Sequence, residues 1–254
     1  MNEIEVTDLT VTYDRKPVVW DLAFKVPKGV IAAIIGPNGA GKSTLIKAMI
    51  GLVPSVSGKV RFFGKKLDEV MGKIAYIAQR SSIDWDFPIT AFEVVLMGRY
   101  GRLGWFRRPS KSDKLEAQKI LGKIGMGALR NRQISELSGG QQQRLFLGRA
   151  LFQDADIYFL DEPFAGVDMT TEKFIVDILK ELASQGKTIF IVHHDLNTVE
   201  SYFDWAILLN MRIVAAGPLR ETFNSKNLVK AFGQKAGLLE EAFLYAKEKA
   251  EGTK

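Results

Sequence analysis

The apolar run Val30 to Ile35, "VIAAII", meets the turn Gly36 to Thr44, "GPNGAGKST", and this junction leaves few folds open. A continuous β-branched run of this length reads as a strand covered on both faces. The turn matches G-x-x-x-x-G-K-[ST], and a helix pattern runs from about Lys42 to Gly51. Strand, glycine turn and helix in that order form a phosphate loop. The glycines let backbone N–H groups turn inward around phosphates, and the helix start adds its positive dipole end. Lys42 would neutralise the β/γ charge, and Ser43 would offer a hydroxyl to Mg2+. The nucleotide-holding set is Gly36, Asn38, Gly39, Ala40, Gly41, Lys42, Ser43 and Thr44.

The rest of the chain is consistent with that junction. "IEVTDLTVTY" and "PVVWDLAFKV" alternate apolar and polar residues up to the turn at Pro27 to Gly29, which predicts half-buried strands. Short strands follow over 56–78. Ala117, Ile120, Leu121 and Ile124 recur at helical spacing, with Ser112 as the expected N-cap and Gly125 as the stop. "DIYFLDE" is a second buried strand. Phe174, Ile175, Ile178, Leu179 and Leu182 stripe a helix ending at Gly186, and "TIFIVHH" is a third buried strand. Alternating strands and helices predict a largely parallel sheet with crossovers. From about 234 the chain reads as a charged helix or a frayed end. The 254 residues suffice for one well-cored α/β domain, with room for a small appended part.

Composition narrows the setting. No apolar run reaches the ~18 residues of a membrane-spanning helix, and the acidic, alternating start is unlike a secretory signal. With no cysteine there is neither a disulfide framework nor a thiolate metal site. The net charge of +6 leaves nucleic acid, an anionic membrane or a local basic patch open.

A phosphate loop alone does not separate a kinase, a GTPase and an ATPase. Downstream, "IYFLDE" places Asp161 at a strand end, suited to hold Mg2+ through its waters. Glu162 beside it can orient and deprotonate an attacking water. "LSGGQQQR", Leu137 to Arg144, sets Ser138, Gly139, Gly140 and Gln141 at the start of another helix, a second anion cradle. One nucleotide in one monomer does not need two cradles. The economical explanation is that the second closes on the nucleotide of another copy.

The order of phosphate loop, Gln79, "LSGGQ", "YFLDEP", "AGVD" and "HHD" resembles the ATP-binding subunit of ABC transporters over about residues 1–230. The resemblance implies an α/β P-loop NTPase core with a mostly parallel sheet, an N-terminal antiparallel β part and an inserted helical subdomain. Residues 1–78 and 153–233 would form the core, 79–152 the helical subdomain, and 234–254 a charged tail. Tyr13 resembles the aromatic that stacks on adenine, and Gln79 the glutamine that reaches Mg2+ and the attacking water. Ser138, Gly139, Gly140 and Gln141 would hold the γ-phosphate of a partner copy. Asp168 resembles the acid that crosses the dimer interface. His194 resembles the histidine that contacts the γ-phosphate, which leaves His193 as a strand-end residue facing the other way. ATP and Mg2+ are the implied cofactors.

In that family the segment after the glutamine faces the membrane permease. "SSIDWDFPITAFEVVLMGR" and "LDEPFAGVD" resemble ATPases of bacterial manganese, iron and zinc uptake systems, the manganese and iron branch being nearer. The implied setting is peripheral, on the cytoplasmic face of the membrane, with an extracytoplasmic metal-binding protein as indirect partner. Trp85 is the expected anchor, rimmed by Asp84 and Asp86. Those two acids as a site for the transported metal is the alternative, and two oxygens make a poor site for a hard cation. The run Arg99 to Arg132 carries ten Lys/Arg against Asp113 and Glu116, which places it near an anionic leaflet, on a solvated face, or on nucleic acid. An ABC ATPase acting on DNA or ribosomes is the competing function. Against it, only 96 positions separate Lys42 from Ser138 (138 minus 42), too few for a long coiled-coil insertion, and there is one cassette rather than two. A P-loop kinase would not explain "LSGGQ".

Overall fold

The structure, a computed structural model, describes residues 3–14, 16–103 and 107–233. In chain order the elements are β1 (Glu3–Tyr13), β2 (Lys16–Pro27), β3 (Ile31–Ile35), α1 (Lys42–Met49), β4 (Ser57–Phe62), α2 (Leu67–Val70) and β5 (Ile74–Ile77). There follow α3 (Ala91–Met97), α4 (Tyr100–Leu103), α5 (Lys111–Lys123), α6 (Gly139–Gln153), β6 (Ile157–Asp161), α7 (Met169–Ser184) and β7 (Thr188–Val192). The chain continues through α8 (Val199–Tyr202), β8 (Trp205–Asn210), β9 (Arg212–Pro218), α9 (Leu219–Thr222) and α10 (Ser225–Phe232). It divides into two compact units, 1–68 with 190–254, and 69–189. The charged tail expected from 234 lies outside the described residues.

In the first unit β1 pairs antiparallel with β2 and β4. Simple alternation from Ile4 and Val6 would turn Asp8 inward. Instead Asp8 takes φ +51 and the register slips, so Leu9 and Val11 become the next buried residues. Asp21, at φ +56, does the same between Val19 and Leu22 on β2. A short polar side chain tolerates the left-handed region, and each bulge keeps the apolar set on one face. β3 pairs parallel with β8, Ala32 opposite Trp205 through Ile35 opposite Leu208, and β9 closes that edge antiparallel. Every residue of β3 is buried, as a doubly covered strand requires.

In the second unit β5 pairs parallel with β6, from Ile74–Ile157 to Ile77–Leu160. Four of its helices, α3, α5, α6 and α7, begin on side-chain caps. Thr90, Ser110 and Ser138 each cap through a reciprocal box with the residue three positions on, and Asp168 caps α7. The cap of α5 is therefore Ser110 and not Ser112. Asp113 lies three residues after Ser110 and returns the bond, whereas Leu115, three after Ser112, has nothing to return. α5 stops at Gly125 and α7 at Gly186, as the spacing predicts, with φ of +69 and +80.

Candidate functional site

In the first unit β3 delivers the chain into the phosphate loop. Gly36 leaves no room for a side chain, since a Cβ there would lie 2.0 Å from the carbonyl oxygen of Leu209 on β8. Gly39 and Gly41 take φ of +81 and +93, the left-handed region in which glycine carries no Cβ penalty. Around Gly39 there is open space, while Gly41 presses on Val19 of β2. From outside, Met211 donates its N–H to the Ala40 carbonyl at 3.1 Å. Lys42 is buried, and its Nζ donates to the carbonyls of Gly36 at 2.8 Å and Pro37 at 2.9 Å, so the cation arches back over the loop. α1 starts on Gly41 with no side-chain cap, which leaves its first N–H groups to the loop's interior. The loop carries no acidic side chain. Left-handed glycines, an uncapped helix start and a buried ammonium fit the phosphates of ATP.

Tyr13 ends β1 nearly half exposed, a ring available for stacking. Beyond β7 the two histidines part. His194 is exposed, while His193 is buried against Tyr202 and Phe203, with Nε2 2.7 Å from Thr198 Oγ1. Thr198 donates its own hydroxyl to the Asp195 carbonyl, so His193 is the donor in that pair. Burial pushes the His193 imidazole down to about 4, which keeps it neutral. This unit also holds a hollow of about 880 Å3, lined by Glu200, Phe203, Asp204 and Arg220 among others, with none of the phosphate-loop residues.

In the second unit β6 carries Asp161 to its buried end. Glu162 follows at φ +53, a conformation that costs a non-glycine residue roughly 1–2 kcal/mol. That turn aims its carboxylate at Gln79, whose Nε2 donates to Oε2 at 2.9 Å. The two residues proposed for water handling, 83 positions apart, are thus in contact. Tyr76 is pushed up to about 12, first by burial and then by the charge of Asp161.

The second cradle begins α6. Ser138 Oγ accepts from the Gln141 N–H at 3.4 Å, and Gln141 Oε1 accepts from the Ser138 N–H at 2.9 Å, so Gln141 serves its own helix start. Other side chains come close to both glycines. A Cβ on Gly139 would meet Arg80 Nη1 at 3.0 Å, and one on Gly140 would meet Thr171 Oγ1 at 3.0 Å. Asp168 lies beside Gly140 and accepts from the Thr171 N–H and hydroxyl, both at 2.9 Å, which hold its carboxyl below the usual range.

The segment after Gln79 behaves differently from its composition. Trp85 is half-buried. Its indole N–H donates to the Arg80 carbonyl at 3.0 Å, and its ring stands edge-on to Phe146 with centroids 5.3 Å apart. Phe87 is the exposed aromatic, at 56%. Asp84 accepts from the Asp86 N–H at 3.1 Å, a local turn. Arg80 was not legible as a site residue. Its Nε and Nη2 bond the side chain of Gln142, 62 positions away, and no spacing rule marks such a pair.

Residues 19–165 match the family described as ABC transporter. The chain is similar to the zinc transport system ATP-binding protein TroB of Treponema pallidum, 56% identical over 91% of this chain and 86% of that protein. It is 52% identical to the manganese transport system ATP-binding protein MntB of Bacillus subtilis over the whole of both chains. Among solved structures, an inward-facing metal-chelate type ABC transporter matches with a TM-score of 0.80 and 28% identity, over 91% of this chain and 89% of that one.

Proposed function

The chain belongs to the ABC transporter family, and on that premise we propose that it drives an importer for a transition-metal cation, manganese or zinc. It is the ATP-binding, ATP-hydrolysing subunit, and a membrane permease is its partner. No helix among the described residues is long and apolar enough to cross a membrane, which suits a peripheral subunit on the cytoplasmic face. The observation that carries the reading is the presence in one chain of a phosphate loop before α1 and a Ser-Gly-Gly start to α6. A motor that closes two copies head-to-tail on two ATP uses both. The identities to the zinc-named and manganese-named proteins, 56% and 52%, are too close to separate the cations. Their names also disfavour the nucleic-acid or ribosome reading.

The roles follow from the chemistry. Tyr13 stacks on adenine. Lys42 and the N–H groups of Gly36 to Thr44 hold the β- and γ-phosphates. The hard oxygen donors Ser43, Asp161 and Gln79 suit Mg2+, which neutralises phosphate charge when bound. Glu162 orients and deprotonates the attacking water, with the Gln79 amide keeping its second oxygen occupied. His194 contacts the γ-phosphate, and Ser138 with its two glycines serves the partner copy's nucleotide from a helix start that Gln141 braces, across an interface that Asp168 joins. Residues 1–78 with 153–233 form the ATPase core, 79–152 form the helical subdomain that carries Ser138 to Gln141, and the segment after Gln79 faces the permease. Within that segment Phe87 is the exposed anchor, with Asp84 and Asp86 as a charged rim. In the basic run both acids pair with Arg99, and Arg107, Arg108, Lys111, Lys114 and Lys119 remain exposed, a face suited to an anionic leaflet.

The test is manganese and zinc uptake in cells carrying the chain with its permease, against cells carrying Glu162→Gln. Uptake that needs Glu162 is the expected result. Full uptake without it, or a purified chain with no ATPase, sinks the reading. Vesicle binding addresses the leaflet: binding to anionic vesicles that salt does not weaken would discard it.

A further inference from the structure

Helix α6 is laced along one stripe to the chain running from β5 through the docking segment. Gln153 Nε2 donates to the Ile74 carbonyl at 2.6 Å, and Arg149 Nη2 donates to the Tyr76 carbonyl at 2.9 Å. Arg80 donates through Nε at 3.0 Å and Nη2 at 2.8 Å to Gln142 Oε1, and Trp85 stands on Phe146. Positions 142, 146, 149 and 153 recur at helical spacing and line one side of α6. Each turn of the helix is therefore fixed on residues 74–85. Gln142 is buried and its Nε2 donates to the Ile134 carbonyl at 2.9 Å, so both ends of the amide are committed and Oε1 must face Arg80. The Arg80 guanidinium also lies against Gly139 and 5.8 Å from the Trp85 ring centre. One residue earlier, Gln79 holds Glu162.

We propose that Arg80 is a positioning residue that makes the Ser138–Gly140 turn move with the docking segment and with Gln79 as one body. The proposal rests on the reading of 81–90 as the permease surface and of Ser138 as a ligand to a partner's nucleotide. A charged donor pair on one buried oxygen is strong and tightly oriented, and losing it strands a buried acceptor. A push on Trp85 or Phe87 then reaches the Ser138–Gly140 turn through Arg80 rather than being absorbed in a loop. The carboxylate end of the site and the turn offered to the second copy cannot be adjusted independently.

The experiment uses the full chain with Arg80→Ala, Gln142→Leu and the double Arg80→Ala/Gln142→Leu. For each, kcat and KM for Mg·ATP, the melting temperature, and ATP-dependent dimerisation in a Glu162→Gln background are measured. Arg80→Ala should lower kcat and dimer affinity by about tenfold, a coupling typical of residues in one hydrogen-bond network. KM should stay within about twofold, because the loop that binds nucleotide in its own chain is untouched. Gln142→Leu should match it, and the double variant should be no worse. Wild-type kcat in Arg80→Ala overturns the inference, as does a double-variant loss equal to the product of the two single losses, or a loss that only follows melting temperature. If the Glu162→Gln protein does not dimerise with Mg·ATP, the motor reading itself fails. If it dimerises and Arg80→Ala leaves it unchanged, this inference alone fails.

Discussion

Glu162 combines a left-handed backbone with a hydrogen bond from Gln79, so the turn aims the carboxylate and the amide steadies it. Glu162→Gln keeps the side chain's size and removes the base. It should bind ATP normally, lose about 10²–10⁴ in turnover, and collect as an ATP-bound dimer. Size-exclusion with and without Mg·ATP checks this; a monomer throughout, or near-normal hydrolysis, removes Glu162 from the role. Lys42→Ala should instead weaken nucleotide binding by tenfold or more, read by titration, since it withdraws a charge from the phosphates. His193 gives a pH signature. Its neutral form is favoured in the fold, about 4 against 6.5 free, so the unfolded chain binds the extra proton between those values and stability rises with pH there. As pH falls from 6.5 towards 4, up to about 3 kcal/mol should be lost. Urea midpoints of His193→Gln should lack that slope between pH 6.5 and 4; equal slopes would mean the imidazole is not buried neutral. That His193 and His194 face opposite ways was legible from alternation at a strand end, whereas which of them contacts phosphate rests on the family resemblance. Arg80 was not legible, because its partner is a buried amide on a distant helix.

Helix ends show which local signals are readable. After α1, α5 and α7 the glycines Gly51, Gly125 and Gly186 all take positive φ, and the chain closes with paired backbone bonds. For α5 these are Gly125 N–H to the Gly122 carbonyl and Met126 N–H to the Leu121 carbonyl. Glycine stops of this kind are visible in sequence because only glycine enters that region without penalty. The start of α5 lies two residues before the expected Ser112, because the acid three positions after a hydroxyl decides which serine caps. Ser110→Ala should therefore cost about 1 kcal/mol and Ser112→Ala only a few tenths, by urea denaturation; the reverse order would restore Ser112. Gly125→Ala should cost about 1 kcal/mol through its backbone alone. The strand bulges at Asp8 and Asp21 were not legible. Alternation extrapolates smoothly, and nothing in a run of strand-forming residues marks where the phase must slip.

For the whole molecule, motif order was enough to place the chain in its family and to give a mixed α/β architecture. The family match and the parallel β3–β8 and β5–β6 pairs agree with that reading. The docking face was less legible, because a tryptophan between two aspartates looks like an anchor until its indole is found bonded to Arg80. Phe87→Ala should accordingly reduce metal uptake by roughly tenfold or more while leaving soluble ATPase and melting temperature unchanged. Trp85→Ala should lower both uptake and melting temperature, and a Phe87 variant with full uptake would move the interface elsewhere. Global stability also bears on Glu162. Its backbone conformation is one that glycine adopts freely, so Glu162→Gly would relieve about 1 kcal/mol of strain. A laboratory selection for heat resistance alone would favour that substitution and enrich sturdy, inert proteins. Screening such a library for survival and for turnover would pull this one codon in opposite directions.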